Sequence, residues 1–451
     1  MENSANLSQG NIQKLLFKLA LPAIVAQLIN VLYNMVDRMY IGHIEKIGDV
    51  ALTGVGVTMP LITAVSAFAA LVSMGSAPRA SIMMGRKKND EAENILGNSA
   101  ALLIIIALLS TIIIQCFGKD LLILFGASEN TLIYAWQYMG IYSLGTIFVQ
   151  LTLGLNVFIS CQGFTSISMR TTLIGAILNI ILDPIFIFIF DMGVKGAALA
   201  TILSQAISCI WVLSFLLGKK TKLHLKLQYM ILKPSIFLPC IALGLAPFVM
   251  QFTESILSMC FNTSLLKYGG DIAVGSMTIL NSVMSFSLMP LHGLTQGAQP
   301  IISYNYGAEN YQRVKEAFFI LLKSCLIYST SIWIIAQFVP QLFIQIFTDK
   351  PELINYTISA LRVYMGVSCL FGAQLACQQT FIALGNAKTS LFLALLRKVF
   401  LLIPLIYILP NFFDNKVFSI FLAEPIADFI AVCSTVTLFF ISNKHILKKR
   451  V

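Results

Sequence analysis

Apolar runs of about twenty residues or more, set off by short polar or charged segments, recur along nearly the whole chain. A helix needs about 20 such residues to cross a bilayer. Twelve runs meet that length, at 15–42, 52–78, 94–117, 132–160, 167–190, 196–217, 236–266, 272–300, 317–340, 354–384, 390–410 and 417–441. Several are long enough to tilt or to extend past the membrane. The polar N-terminus, MENSANLSQGNIQ, leads straight into a full-length run, which reads as a first membrane helix rather than a cleaved signal. No stretch reads as a soluble domain. The longest polar stretch, 219–235, separates an N-terminal lobe, 1–218, from a C-terminal lobe, 236–451. The pattern predicts an all-α polytopic membrane protein with twelve transmembrane helices in two six-helix lobes.

The two lobes carry the same marks. Gly75, Pro78 and Gly85 around the end of the second run match Gly297, Pro300 and Gly307 around the end of the eighth, each displaced by 222 residues. Phe125 matches Phe347, and Gly163 matches Gly385, at the same displacement. Tyr-Met-Gly recurs at 138–140 and 364–366, with four residues absorbed between. Glycine and proline at such places also serve tight turns and close helix packing. A repeat of six spans is even, so both copies enter the membrane from one side. They are then related by a pseudo-twofold axis along the membrane normal, the geometry of parallel-repeat transporters.

Composition agrees. Hydrophobic residues make up 57% and charged residues 11% of the 451, against roughly 45–50% and roughly 25% in soluble proteins. So few charges could not clothe an aqueous enzyme or a DNA-binding protein of this length. The net charge of +10 therefore reflects basic loops on one side of a membrane, not nucleic-acid binding. With the N-terminus in the cytoplasm, nineteen Lys and Arg fall in inside segments. Only Lys46, Lys119, Lys195, Lys267, Lys350 and Lys416 fall outside. Both termini are thus expected in the cytoplasm of a multi-pass protein of the bacterial plasma membrane. The nine Cys are scattered without a CxxC, and the four His lack metal-ligand spacing, so neither a disulfide framework nor a zinc site follows.

An ionisable residue within a membrane helix costs roughly 2.5–3.5 kcal/mol and needs a reason. Few carboxylates fall inside the runs: Asp37, Asp183, Glu254, Glu424 and Asp428. Tyr33 and Asp37 are four apart, as are Asn179 and Asp183, so each pair shares one helix face. Pro184 follows Asp183 and disturbs the helix there. Two carboxylates, an amide oxygen and a phenol suit a hard cation or a shared proton. The alternative readings are an interfacial Asp37 neutralised by Arg38 and a helix-end Asp183. Glu254 has no basic residue within a helical turn, so it reads either as an unpaired carboxylate for a cationic ligand or as a carboxyl bonded to helix polar groups. Glu424 and Asp428 flank Pro425 and could line a cavity of the second lobe.

These segments resemble the multidrug and toxic compound extrusion (MATE) family, in its bacterial DinF- and MepA-like branch. The resemblance spans nearly the whole chain. It rests on LPAIVAQLINVLYNMVDRMYIGH, on GAILNIILDPIFIF with GVKGAALATILSQ, on PFVMQFTES and on GAQPIISYNYGA. It implies a cation- or proton-coupling site at Asp37, Tyr33, Asn179, Asp183 and Thr201, with Na+ possible at Asp37, Asn179 and Asp183. It also implies a role for Glu254 in the seventh span. Gln251 and Asn156 complete the candidate substrate-binding set. One departure is Arg38, where similar proteins carry a small or polar residue; turned inward it would pair with Asp37.

The expected function is secondary active efflux. Cationic or amphipathic organic compounds leave in exchange for H+ or Na+ by alternating access, with no other cofactor. The alternative is a flippase for lipid-linked oligosaccharide or polyprenyl-phosphate lipids, whose phosphate would call for Arg or Lys in the cleft. The spans hold few, among them Arg38, Lys323, Arg362 and, near a cytoplasmic end, Arg397 and Lys398. No His cluster, aspartate-rich motif or nucleophile–His arrangement suggests an intramembrane enzyme. Each chain holds both lobes, so a monomer in the lipid bilayer is expected.

Overall fold

The computed structural model describes residues 5–45 and 47–444. Lys46, Lys448, Lys449 and Arg450 of the charge count, and the first four residues of the polar N-terminus, lie outside the described residues. Within lipid every backbone polar group must be satisfied inside the chain, which leaves helices as the solution for apolar runs of this length. The helices are α1 (Ile12–Gly42), α2 (Gly48–Gly85), α3 (Asn89–Leu124), α4 (Glu129–Leu144), α5 (Thr146–Cys161), α6 (Thr165–Pro184), α7 (Gly193–Leu217), α8 (Pro234–Gly307), α9 (Tyr311–Phe338), α10 (Gln341–Ile344), α11 (Pro351–Tyr364), α12 (Phe371–Ala383), α13 (Ala387–Leu395), α14 (Ile403–Ile408) and α15 (Lys416–Ser442).

Among the described residues, nine helices are long and apolar enough to cross a membrane, and two bent pairs each supply one more span. One of the nine, α8, has 74 residues. At 1.5 Å per residue it would measure about 110 Å if straight, more than three times the roughly 30 Å of a bilayer core. It breaks at Gly270, with φ 66° and ψ −163°. That backbone region is open only to glycine. Taken as two spans, α8 brings the total to the expected twelve.

The internal repeat is written into the backbone. The bent spans are the fourth, α4 with α5 at 59°, and the tenth, α11 with 368–383 at 49°. Both had read as single runs. The fifth span loosens into a π-helical turn at Ile185–Ile189, and the eleventh does so at Leu396–Leu402. Proline supplies the cause in each: Pro184 precedes the first and Pro404 follows the second, and each removes an amide from the helix ladder. Lys87 and Glu309 both take positive φ, at 60° and 57°, as do Gly163 and Gly385, at 90° and 78°. The Ser81 hydroxyl donates to the Cys161 carbonyl at 3.0 Å, and the Ser303 hydroxyl donates to the Ala383 carbonyl at 2.8 Å. Each pair is again separated by 222 residues.

The contacts divide the chain into two compact units. Unit 1 comprises the stretch up to Leu7 with Leu21–Gly244; unit 2 comprises Ser8–Ala20 with the chain from Leu245 onward. In unit 1, α2 packs against α3, α4 and α5 around a core that includes Ile41, Val55, Leu122, Tyr138 and Val194. Close approach at the start of α8 depends on glycine: a Cβ at Gly75 would collide with the Cys240 carbonyl, and one at Gly244 with the Leu71 carbonyl. Unit 2 repeats the device, because a Cβ at Gly297 would meet the backbone of Ala20. In the same unit the Arg313 guanidinium donates to the Gly10 carbonyl at 3.0 Å.

The polar stretch 219–235 is strapped to unit 1 by three buried side chains. The Gln162 amide oxygen accepts from the backbone of Lys222 at 2.7 Å and of Leu223 at 3.0 Å. The Glu93 carboxylate accepts from the His224 amide at 2.9 Å and pairs with Lys226 at 2.5 Å. Asn98 accepts from the Lys233 amide at 2.7 Å and donates to the Tyr229 carbonyl at 3.1 Å. The hydrogen bond from Glu93 holds the Lys226 ammonium above its ordinary pKa, while burial lowers that of Lys222.

Candidate functional site

Unit 1 gathers polar side chains from four helices. Asp37 of α1 is 8% exposed, Asp183 of α6 is fully buried, and Asn179, one turn before it, is buried too. The Asn179 amide donates to Asp183 Oδ1 at 3.2 Å and reaches Thr201 Oγ1 of α7 at 3.5 Å. The Thr201 hydroxyl donates to the Ala197 carbonyl at 3.0 Å. Tyr138 of α4 completes the chain, its hydroxyl 3.5 Å from Thr201 Oγ1. The Asp37 and Asp183 carboxyls are neighbours, within hydrogen-bonding and electrostatic range of each other, and Tyr138 lies within reach of both. Tyr33, one helical turn before Asp37, lies within electrostatic range of it.

The cluster is short of donors. Asp37 Oδ1, Asp183 Oδ2 and Asn179 Oδ1 are all buried without a hydrogen-bond partner. Buried polar atoms are nearly always satisfied, and a buried unpaired charge is costlier still. Three acceptor oxygens from two carboxyls and an amide have the chemistry to take a proton or a hard monovalent cation. Arg38 does not fill that role. It is exposed, and its guanidinium turns to Met59 Sδ at 3.2 Å; among the described residues it forms no ion pair with Asp37.

Unit 2 departs from the sequence reading. Glu254 of α8 is not unpaired: the Lys398 ammonium, 144 residues away, pairs with Glu254 Oε1 and donates to the Met250 carbonyl at 2.9 Å. Arg397 and Lys398 do not sit clear of the acidic residues at a cytoplasmic end. They lie in the π-helical turn after α13, inside the span, where Arg397 bonds Asp428 Oδ1 at 2.5 Å and Glu424 Oε1 at 3.2 Å. The guanidinium also lies 5.3 Å from the Phe371 ring. The carboxylates of α15 are therefore neutralised by side chains of their own unit. Gln251 leaves its amide oxygen buried and unpartnered. Asn156, in unit 1, does the same while donating to the Ser168 carbonyl at 3.2 Å.

The sequence reading missed three members of these clusters. Tyr138 stood out only as a repeat mark, yet it and its repeat mate Tyr364 each lie beside their unit's buried carboxyls. Arg397 and Lys398 were visible as rare basic residues in an apolar run. A straight helix gave no reason to aim them at acids on two other helices.

Twelve helices, a twofold internal repeat and a buried oxygen cluster short of donors define a membrane transporter. The MatE family model matches residues 22–185 and again 247–408, once in each half. The chain belongs to the MatE family. It is 24% identical over 426 residues to the multidrug export protein MepA of Staphylococcus haemolyticus, covering 94% of this chain and 93% of that protein. The MATE multidrug transporter DinF-BH, solved with a bound drug, is 32% identical with a TM-score of 0.90, and each chain is covered in full. A MATE protein crystallised in the bent conformation shares the fold at a TM-score of 0.91, with 21% identity and 98% of both chains covered.

Proposed function

We propose that the chain is a secondary active efflux transporter of the bacterial cytoplasmic membrane, exchanging H+ or Na+ for cationic or amphipathic organic compounds by alternating access. The observation that carries the reading is the trio of buried, donorless oxygens on Asp37, Asp183 and Asn179. A site with that deficit favours whichever conformation lets a coupling ion in, and an ion shifts the equilibrium only by its differential affinity for the two states. The membrane potential adds about 2.3 kcal/mol per charge per 100 mV to an inward-moving cation. The names of the relatives, multidrug export and multidrug transport, agree with an organic cargo. Both termini are assigned to the cytoplasm by the Lys and Arg asymmetry, and the chain is taken to act as a monomer. A phosphate-bearing lipid cargo is the poorer reading, because Arg397 and Lys398 are both engaged by carboxylates.

The test is export of a fluorescent organic cation from loaded cells by the wild type, Asp37→Asn and Asp183→Asn. Both variants should insert and fold normally yet lose most of the export. Full export by either, at equal expression, removes that carboxylate from the coupling site.

A further inference from the structure

The charged clusters of the two units differ in one respect. Unit 1 leaves its acceptor oxygens open, whereas unit 2 brings its own cations on the π-helical turn Leu396–Leu402. Of these cations Arg397 is fixed, held by two buried carboxylates on α15 and stacked near Phe371. Lys398 is placed differently. Its side chain is 4% exposed, but its partner Glu254 is 65% exposed. One end of this ion pair is thus buried in the unit while the other is open to approach. The ammonium has a second acceptor in the Met250 carbonyl, and Glu424 lies within electrostatic range of it. If Glu254 were taken by another cation, Lys398 would keep a hydrogen bond and an anionic neighbour without leaving its place.

We propose that Lys398 is a tethered competitor for Glu254, which a cationic cargo must displace, and that it thereby sets which cations the transporter accepts. The inference deepens the proposed function and rests on it. A covalently attached ammonium beside a carboxylate acts as a built-in ligand at high effective concentration. Weak or strongly hydrated cations lose that competition. A bulky monovalent cation with spread charge can win, because its apolar groups add binding that the lysine cannot match. The pair therefore discriminates against small amines while admitting large lipophilic cations, a form of specificity by an opposing interaction.

The experiment measures equilibrium binding of tetraphenylphosphonium and of tetramethylammonium to the purified full-length protein. Wild type, Lys398→Met, Glu254→Gln and the double variant are compared. Methionine nearly matches the volume of lysine, and the Glu254 carboxylate left behind is open enough to be hydrated. Lys398→Gln serves as a second probe should the methionine variant not fold. Loss of Lys398 should tighten tetraphenylphosphonium binding about tenfold, and should bring tetramethylammonium into a measurable range. Glu254→Gln should weaken binding, and on that background loss of Lys398 should change nothing. Unchanged or weaker binding in folded Lys398 variants overturns the inference, as does a Lys398 effect that persists without Glu254. If folded wild type and Lys398 variants alike bind no organic cation, the inference falls together with the cation-export reading. Normal binding and transport by wild type, with no Lys398 effect, overturns the inference alone.

Discussion

Asp37 Oδ1, Asp183 Oδ2 and Asn179 Oδ1 are buried acceptors without donors, and each such atom costs on the order of 1–3 kcal/mol. A cost concentrated on three neighbouring oxygens is what an exchangeable cation relieves. Asn179→Ala should therefore weaken coupled export while both carboxyls remain, and efflux measured beside Asp183→Asn checks this. Unit 2 supplies the contrast. Arg397→Met would leave Asp428 and Glu424 buried without a counter-ion, a change worth about 3–5 kcal/mol when a buried pair is broken. Lys398→Met leaves only the exposed Glu254, so its cost should be far smaller. Thermal unfolding of the two variants in detergent should separate them clearly; equal losses would contradict the assignment of Arg397 as the fixed cation. Asp37, Asn179, Asp183 and Thr201 were legible because polar groups are scarce in apolar runs and the helical spacing groups them. Tyr138 was not, since tyrosine is common at membrane interfaces and nothing local ties it to a carboxyl 101 residues earlier. The partner of Glu254 was hidden for the same reason, being 144 residues distant.

At the level of the helix, length and hydropathy located the spans, but bends and breaks came from particular residues. The fourth and tenth spans bend just after their Tyr-Met-Gly marks, and the fifth and eleventh open into π-helical turns beside Pro184 and Pro404. Proline was noticed at the first of these. Its consequence at the second, aiming Arg397 toward α15 and Lys398 toward α8, required the folded backbone. The matched glycines Gly75 and Gly297 were read as repeat marks with a packing alternative, and packing is their role. Gly75→Ala and Gly297→Ala should each destabilise by about 1–3 kcal/mol, the usual cost of overpacking a close contact. A melting temperature indistinguishable from wild type in either variant would contradict the close approach. Asn98→Ala should free the 219–235 stretch at Tyr229 and Lys233, which limited proteolysis of that stretch would detect as faster cleavage.

For the whole molecule, a family model that matches once in each half and a backbone that repeats its irregularities at 222 residues describe one duplicated six-span unit. The copies have diverged in charge: one keeps its oxygens open for an exchangeable ion, the other fills its acidic cluster with tethered cations. That division gives the coupling ion and the organic cargo chemically different sites. The central claim, that the open oxygens of unit 1 bind the ion that drives export, is tested most directly in proteoliposomes loaded with a fluorescent organic cation. A pH gradient and a sodium gradient are imposed separately on wild type and on Asp37→Asn. The account predicts cation movement driven by one gradient in wild type and lost in the variant. Equal gradient-driven movement in both proteins would contradict it.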